Sequence, residues 1–265
     1  MNNLNNKEEE KLLENKKLPL VQMINISKSF GHVQALKNVN LSLYHNEVLG
    51  LVGDNAAGKT TLMKILAGIL TPDNGSIYID GEKISIKNPL IGREAGIGMI
   101  YQDFAVCKNM WVAGNIFMGR EPTKGGFPGR LIGLLDKKRM VEEAKVILEK
   151  QEVESNICKK KVGSLSGGQL QSIAIARAVG FNARIIIMDE PTANLGVRQS
   201  ARLMKITKQL KENGISVIYI SHRMQDIFDI SDRIFILKNG EEVGVYNSEE
   251  LNISDVINLM IGKNA

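Results

Sequence analysis

Eight residues restrict this chain more than any other feature. Gly53-Asp54-Asn55-Ala56-Ala57-Gly58-Lys59-Thr60 fits the phosphate-loop pattern GxxxxGK[ST], with an apolar run, Val48 to Val52, before it and a helical stretch from about Thr60 to Leu70 after it. At average residue usage the pattern turns up in roughly one chain in a hundred of this size. The preceding strand and the following helix lower that figure. Such a loop wraps its backbone N–H groups around a β-phosphate, and the helix N-terminus behind it adds partial positive charge. Lys59 then reaches the β- and γ-phosphates, and the Thr60 hydroxyl serves Mg²⁺. The bland alternative is a Gly-rich strand-to-helix turn, and context weighs against it.

A second apolar run, Ile185 to Met188, ends in Asp189 and Glu190. The carboxyl end of a parallel strand is where an α/β fold places its ligands. There Asp189 holds Mg²⁺ through water, and Glu190 polarises the attacking water as general base. Alone, an ordinary strand followed by a charged loop would be the better reading. Beside a phosphate loop it becomes the poorer one.

Leu165-Ser166-Gly167-Gly168-Gln169 is the most telling segment. Five specified residues arise by chance in roughly a few chains per ten thousand. Ser166 suits the N-cap of the helix that follows, whose apolar face is Leu170, Ile173, Ala174 and Ala178. Two glycines leave the first N–H groups bare for a second phosphate. A plain capped helix needs Ser166 but neither glycine.

The remainder reads as one large α/β chain of 265 residues. Residues 1–17 form a polar tail, disordered or a frayed helix, and no signal peptide. Val21 to Tyr44 alternates like a small antiparallel sheet, and Ile77 to Ile79 with Asp80-Gly81 reads as a hairpin. About 104–180 is mostly helical, with a Gly/Pro-rich interruption at Lys124 to Gly133 and an amphipathic helix near Lys137 to Lys150. Strands and helices then alternate to Leu237, which means a mostly parallel sheet under helices. With 43% hydrophobic and 24% charged residues, disorder is excluded as the main state. No apolar window is long enough to span a membrane. Two cysteines far apart, Cys107 and Cys158, indicate no disulfide framework. The net charge of +5 is dispersed, aromatics are few, and no nucleic-acid motif is present, so no nucleic-acid partner is expected.

A phosphate loop, then LSGGQ, then IIIMDEP, in that order, is similar to the ATPase subunit of an ABC transporter, over about residues 20–262. The resemblance implies a P-loop NTPase of ABC type over 18–265. Its parts are a mostly parallel core, a small antiparallel β-subdomain and a helical subdomain. ATP and Mg²⁺ are the cofactors it implies. It adds assignments residue by residue. Phe30 in SKSFG matches the aromatic that stacks on adenine. Gln102 in MIYQDF matches the glutamine that touches Mg²⁺ and the attacking water. His222 in YISHRM matches the switch histidine at the γ-phosphate. Thr61, beside Thr60, joins the nucleotide-binding set.

Two positions depart from the common pattern. Ala56 replaces a frequent glycine, and Gly196 stands where the stretch Ala193-Asn194-Leu195-Gly196 usually ends in Asp. The second puts in doubt any coupling between two sites carried by that Asp. The strings GDNAAGKTTLMKILAG, NIFMGREP and MDEPTANLGV most resemble simple-sugar importers of the ribose, xylose and fructose type, here as a single ATPase half of the fructose type. The resemblance implies ATP held between two copies, one giving Lys59, Thr60, Gln102, Asp189, Glu190 and His222, the other Ser166, Gly167 and Gly168. It also implies a peripheral place on the cytoplasmic face of the membrane. There a separate permease docks near Gln102 to Arg120, and an extracytoplasmic sugar-binding protein takes part indirectly. A soluble scaffold ATPase, such as that of iron–sulfur cluster assembly, is the alternative. Ribosome- or DNA-acting relatives need tandem halves or long coiled coils, and a small-molecule kinase has no use for LSGGQ.

Overall fold

A computed structural model describes residues 18–103, 105–125, 133–149, 154–180, 182–193 and 195–262. The polar tail, much of the Lys124 to Gly133 interruption, Phe104 and Asn194 therefore lie outside the described residues. The chain divides into two compact units, Met1–Met99 with Ala183–Ala265, and Ile100–Asn182.

In the first unit, β1 (Val21–Phe30) and β2 (Val33–Leu43) form an antiparallel hairpin. Val21, Met23 and Ile26 on β1 and Val39, Leu41 and Leu43 on β2 are buried, so the alternation seen in sequence is the inward face of a sheet. With β4 (Asn74–Ile79) and β5 (Glu82–Ile84) the sheet order is β2-β1-β4-β5. The second sheet is built around β3 (Val48–Val52), buried at every position. Such continuous burial is what a parallel strand covered on both faces requires. Its order is β10-β9-β3-β8-β7-β6, from β6 (Ile97–Ile100), β7 (Ile185–Asp189), β8 (Ser216–Ile220), β9 (Arg233–Lys238) and β10 (Glu241–Asn247). β3 runs parallel to β8 and β9, β7 runs parallel to β8, and β10 closes one edge antiparallel to β9.

Helix α1 (Lys59–Leu66) follows β3 and stops four residues before the expected Leu70. Gly68 takes φ +75°, and a Cβ there would lie 2.4 Å from the Asn88 carbonyl oxygen, so the helix ends at its own glycine. A short α2 (Pro89–Glu94) follows.

The second unit contains α3 (Val112–Ile116), α4 (Lys137–Glu149), two 3-10 turns at Ser155–Lys159 and Val162–Ser164, and α5 (Gly167–Val179). Val112, Ile116, Phe117, Met140, Ala144, Leu148, Ile157 and Ile173 make its own core. The first unit resumes with α6 (Val197–Glu212), α7 (Met224–Ile230) and α8 (Ile253–Ile261). Among the described residues no helix is long and apolar enough to cross a membrane.

Candidate functional site

Neighbouring strands β3, β8 and β7 end side by side, and each hands its last residues to a loop that carries chemistry. After β3, Gly53 is forced by close approach, since a Cβ there would sit 2.1 Å from the Leu237 carbonyl oxygen. Gly58, at φ +103°, would meet the Ala35 carbonyl oxygen at 2.7 Å. Ala56 holds φ +65° without being glycine. Asp54, Asn55 and Ala56 are exposed along the loop, and Ala57 is buried under it. The Lys59 ammonium donates to the Gly53 and Asp54 carbonyl oxygens at 2.6 and 2.9 Å, folded back onto its own loop. Burial lowers its pKa, while Glu190, Asp189 and Asp54 pull it back up. Thr60 is exposed at the helix start, with Thr61 half-buried beside it.

Asp189 ends β7 with its carboxyl facing the Thr60 hydroxyl. Burial pushes the Asp189 carboxyl up, against downward pulls from Thr60, Lys64, Lys59 and His222. Glu190 turns out of the strand at φ +51°, a left-handed conformation that costs an L-residue about 1–2 kcal/mol. Its N–H donates to the Ile220 carbonyl oxygen on β8 at 3.1 Å. The backbone N–H of His222 donates to Glu190 Oε2 at 3.4 Å. His222 Nε2 lies 3.0 Å from Oε1 but is not aligned as a hydrogen bond, so that buried oxygen has no hydrogen-bond partner. Burial raises the Glu190 carboxyl, and the nearby His222 is the largest effect holding it down.

A hydroxyl and a carboxylate facing each other at the head of a helix offer hard oxygen ligands of the kind Mg²⁺ prefers. Among the described residues no three or more His, Cys, Asp or Glu side chains are placed so as to hold a metal ion between them. An ion here would fill its other positions from phosphate oxygens and water, as Mg²⁺ usually does.

The remaining candidates lie on other elements. Phe30 ends β1, 48% exposed, with the Lys28 ammonium 5.8 Å from its ring centre. Gln102 belongs to the second unit, in an exposed turn after β6. Ser166 caps α5 as expected. Its hydroxyl accepts from the Gln169 N–H at 3.4 Å, and its own N–H donates to Gln169 Oε1 at 3.0 Å. A Cβ on Gly168 would meet nothing within 4 Å, so packing within the chain does not demand that glycine. Gly196 sits at an ordinary φ of −72°, and a Cβ there would meet Gln199 Oε1 at an unstrained 3.9 Å.

Sequence reasoning missed a buried hydrogen bond, Thr192 Oγ1 to Asp226 Oδ2 at 2.8 Å, which ties the loop after β7 to α7. No local pattern carries it, because the partners are 34 positions apart.

The family model described as ABC transporter matches residues 36–193. A ribose import ATP-binding protein of Yersinia pestis is 40% identical over 247 residues, covering 93% of this chain and 47% of the relative. The chain thus spans about half the length of the curated relatives it matches. Among solved structures, the ADP conformation of an ATP-binding cassette of an ABC transporter is similar at 29% identity and a TM-score of 0.77, covering 92% of this chain and 99% of that one. The dimeric structure of a bacterial ABC transporter cassette is similar at 26% identity and a TM-score of 0.71, covering 86% and 98%. With its phosphate loop, paired acids and histidine gathered at three adjacent strand ends, this chain belongs to the ABC transporter family and carries the family's ATP-binding cassette.

Proposed function

We propose that the chain hydrolyses ATP as a dimer and drives a separate membrane permease that imports a sugar. The observation that carries this reading is the meeting of Lys59, Asp189, Glu190 and His222 at the ends of β3, β7 and β8. Phe30 stacks on the base. Gly53 to Thr61 cradle the phosphates, with Lys59 released from its own carbonyls to the β- and γ-phosphates. Thr60 and, through water, Asp189 would hold Mg²⁺, with Gln102 as the further ligand the family resemblance implies, and the ion would supply positive charge to the phosphate oxygens. Glu190 accepts a proton as water attacks the γ-phosphorus, the bond to the β-phosphate oxygen breaks, and ADP leaves. His222 contacts the γ-phosphate. Ser166, Gly167, Gly168 and Gln169 of a second copy cover its other side and exclude water, and the dimeric cassette structure supports that pairing.

Import of a sugar rests on the relative's name and on the strings shared with that branch. Sugar specificity belongs to the permease and to an extracytoplasmic binding protein. The chain sits peripherally on the cytoplasmic face of the membrane. Against a soluble scaffold ATPase stands the 40% identity to an import protein.

Glu190→Gln tests the reading. Hydrolysis should fall at least about a hundredfold, the scale of a lost general base, while Mg-ATP traps a dimer on size-exclusion chromatography. Turnover at the wild-type rate removes Glu190 from this role.

A further inference from the structure

Asp226 is 6% exposed and Thr192 only 1%, yet neither belongs to the phosphate loop or the reacting groups. The Thr192 hydroxyl donates to Asp226 Oδ2 at 2.8 Å, beside the buried Tyr219, whose hydroxyl donates to Met204 Sδ at 3.7 Å. Arg223 Nε lies 3.7 Å from the same Asp226 oxygen, and Arg223 Nη1 donates to Ser200 Oγ in α6 at 3.3 Å. The Arg223 N–H donates to Ser221 Oγ at 3.0 Å.

These contacts close a ring. Thr192 lies two residues past Glu190, with Pro191 between them stiffening the turn. Arg223 follows His222, whose N–H and imidazole both face the Glu190 carboxylate. Passing from Glu190 to His222, Arg223, Asp226 and Thr192 returns to Glu190, with Asp226 as the buried junction. A left-handed Glu190 persists only where its surroundings over-determine it, and this ring supplies that constraint.

We propose that Asp226 is a positioning residue for hydrolysis: by binding Thr192 and Arg223 at one oxygen, it holds the base loop and the histidine loop at a single spacing. The inference rests on the assignment of Glu190 and His222 above. It deepens that assignment by naming what sets their separation. Arg223 carries the constraint on to Ser200, one turn into the helix that follows Gly196.

The reacting groups tolerate little displacement, since an error of about 1 Å can cost on the order of a hundredfold in rate. Most of the affinity would come from Phe30 and the phosphate loop, and no hydrogen bond or ion pair of Asp226, Thr192 or Arg223 reaches either. In the full chain, Asp226→Asn and Thr192→Val should therefore each lower kcat about tenfold or more. Affinity for a fluorescent ATP analogue with Mg²⁺ should stay within about threefold. Thr192→Ser keeps the hydroxyl and should retain the wild-type rate. The double variant should be no slower than the slower single one, because both changes break one link. Arg223→Gln, at a half-exposed side chain, should slow kcat several-fold with an unchanged thermal midpoint, and it decides the matter if Asp226→Asn does not fold. Wild-type kcat in folded Asp226→Asn, or in Arg223→Gln, overturns the proposal. So does a parallel loss of rate, affinity and thermal midpoint in both Thr192 variants, which is the mark of a merely structural bond. Glu190→Gln run alongside separates the two levels. If it still turns over, the base assignment fails; if it is dead while Asp226→Asn and Thr192→Val keep the wild-type kcat, only the positioning role fails.

Discussion

Within the phosphate loop, two residues one turn apart respond to opposite constraints. Gly53 has no room for a Cβ, whose nearest neighbour would be a backbone oxygen on β9 at 2.1 Å that cannot move without shifting the strand. Gly53→Ala should abolish nucleotide binding and lower the thermal midpoint sharply. Ala56 has room but the wrong backbone, with φ at +65°. A left-handed alanine costs about 1–2 kcal/mol, and glycine returns about 0.5–1 kcal/mol of that as chain entropy. Ala56→Gly should thus raise stability by about 0.5–1 kcal/mol in chemical denaturation and leave nucleotide binding intact. A fall in stability would show that Ala56 makes a contact that offsets its strain. The identity of both residues was plain in sequence, but only the structure separates a steric requirement from a conformational one.

Element by element, sequence signals worked where two of them agreed. Val48 to Val52 and Ile185 to Met188 are uniformly apolar and bounded by loops, and both are buried strands. Ser166 makes the expected N-cap, and Gln169 completes a capping box with it. Missed elements carried one signal or none. β10 reads EEVGVYN, polar because it is an edge, and its strand conformation comes from pairing with β9. Asn88-Pro89 starts the short α2, with Asn88 Oδ1 accepting from Leu90 and Ile91 N–H at 3.0 Å each, a single cap signal with no apolar period behind it. Asn252 and Asp255 form a similar box at α8, away from the site. Asn252→Ala should cost about 1 kcal/mol of stability without altering ATP turnover. Reduced turnover at unchanged stability would give α8 a role beyond packing.

For the whole molecule, the decisive matter is whether each ATP site is shared between copies. Gly168 bears on it, because a glycine that its own chain does not need is explained by something approaching from outside. Lys59→Ala damages only the phosphate loop, and Ser166→Arg only the LSGGQ face. Each alone should be inactive. Random pairing of equal amounts makes about half the dimers mixed, so about a quarter of all sites combine two intact halves. Mixing two dead proteins should restore hydrolysis. Failure to restore either hydrolysis or ATP-driven dimerisation would end the shared-site model.

Sequence by itself determined which chemical groups this protein has to work with: a phosphate loop, two acids at a strand end, a capped Gly-Gly helix start and a histidine after a strand. Each is a local pattern, set by residues within a few positions of one another. Tertiary structure alone decided the distances between them. Strand order places β8 between β3 and β7, and that order brings His222 Nε2 to 3.0 Å from Glu190. The same order lets Asp226 reach Thr192, 34 positions earlier. Neighbours in a parallel sheet are chosen by the packing of the helices that connect them, a long-range balance of buried area that no short stretch of residues encodes.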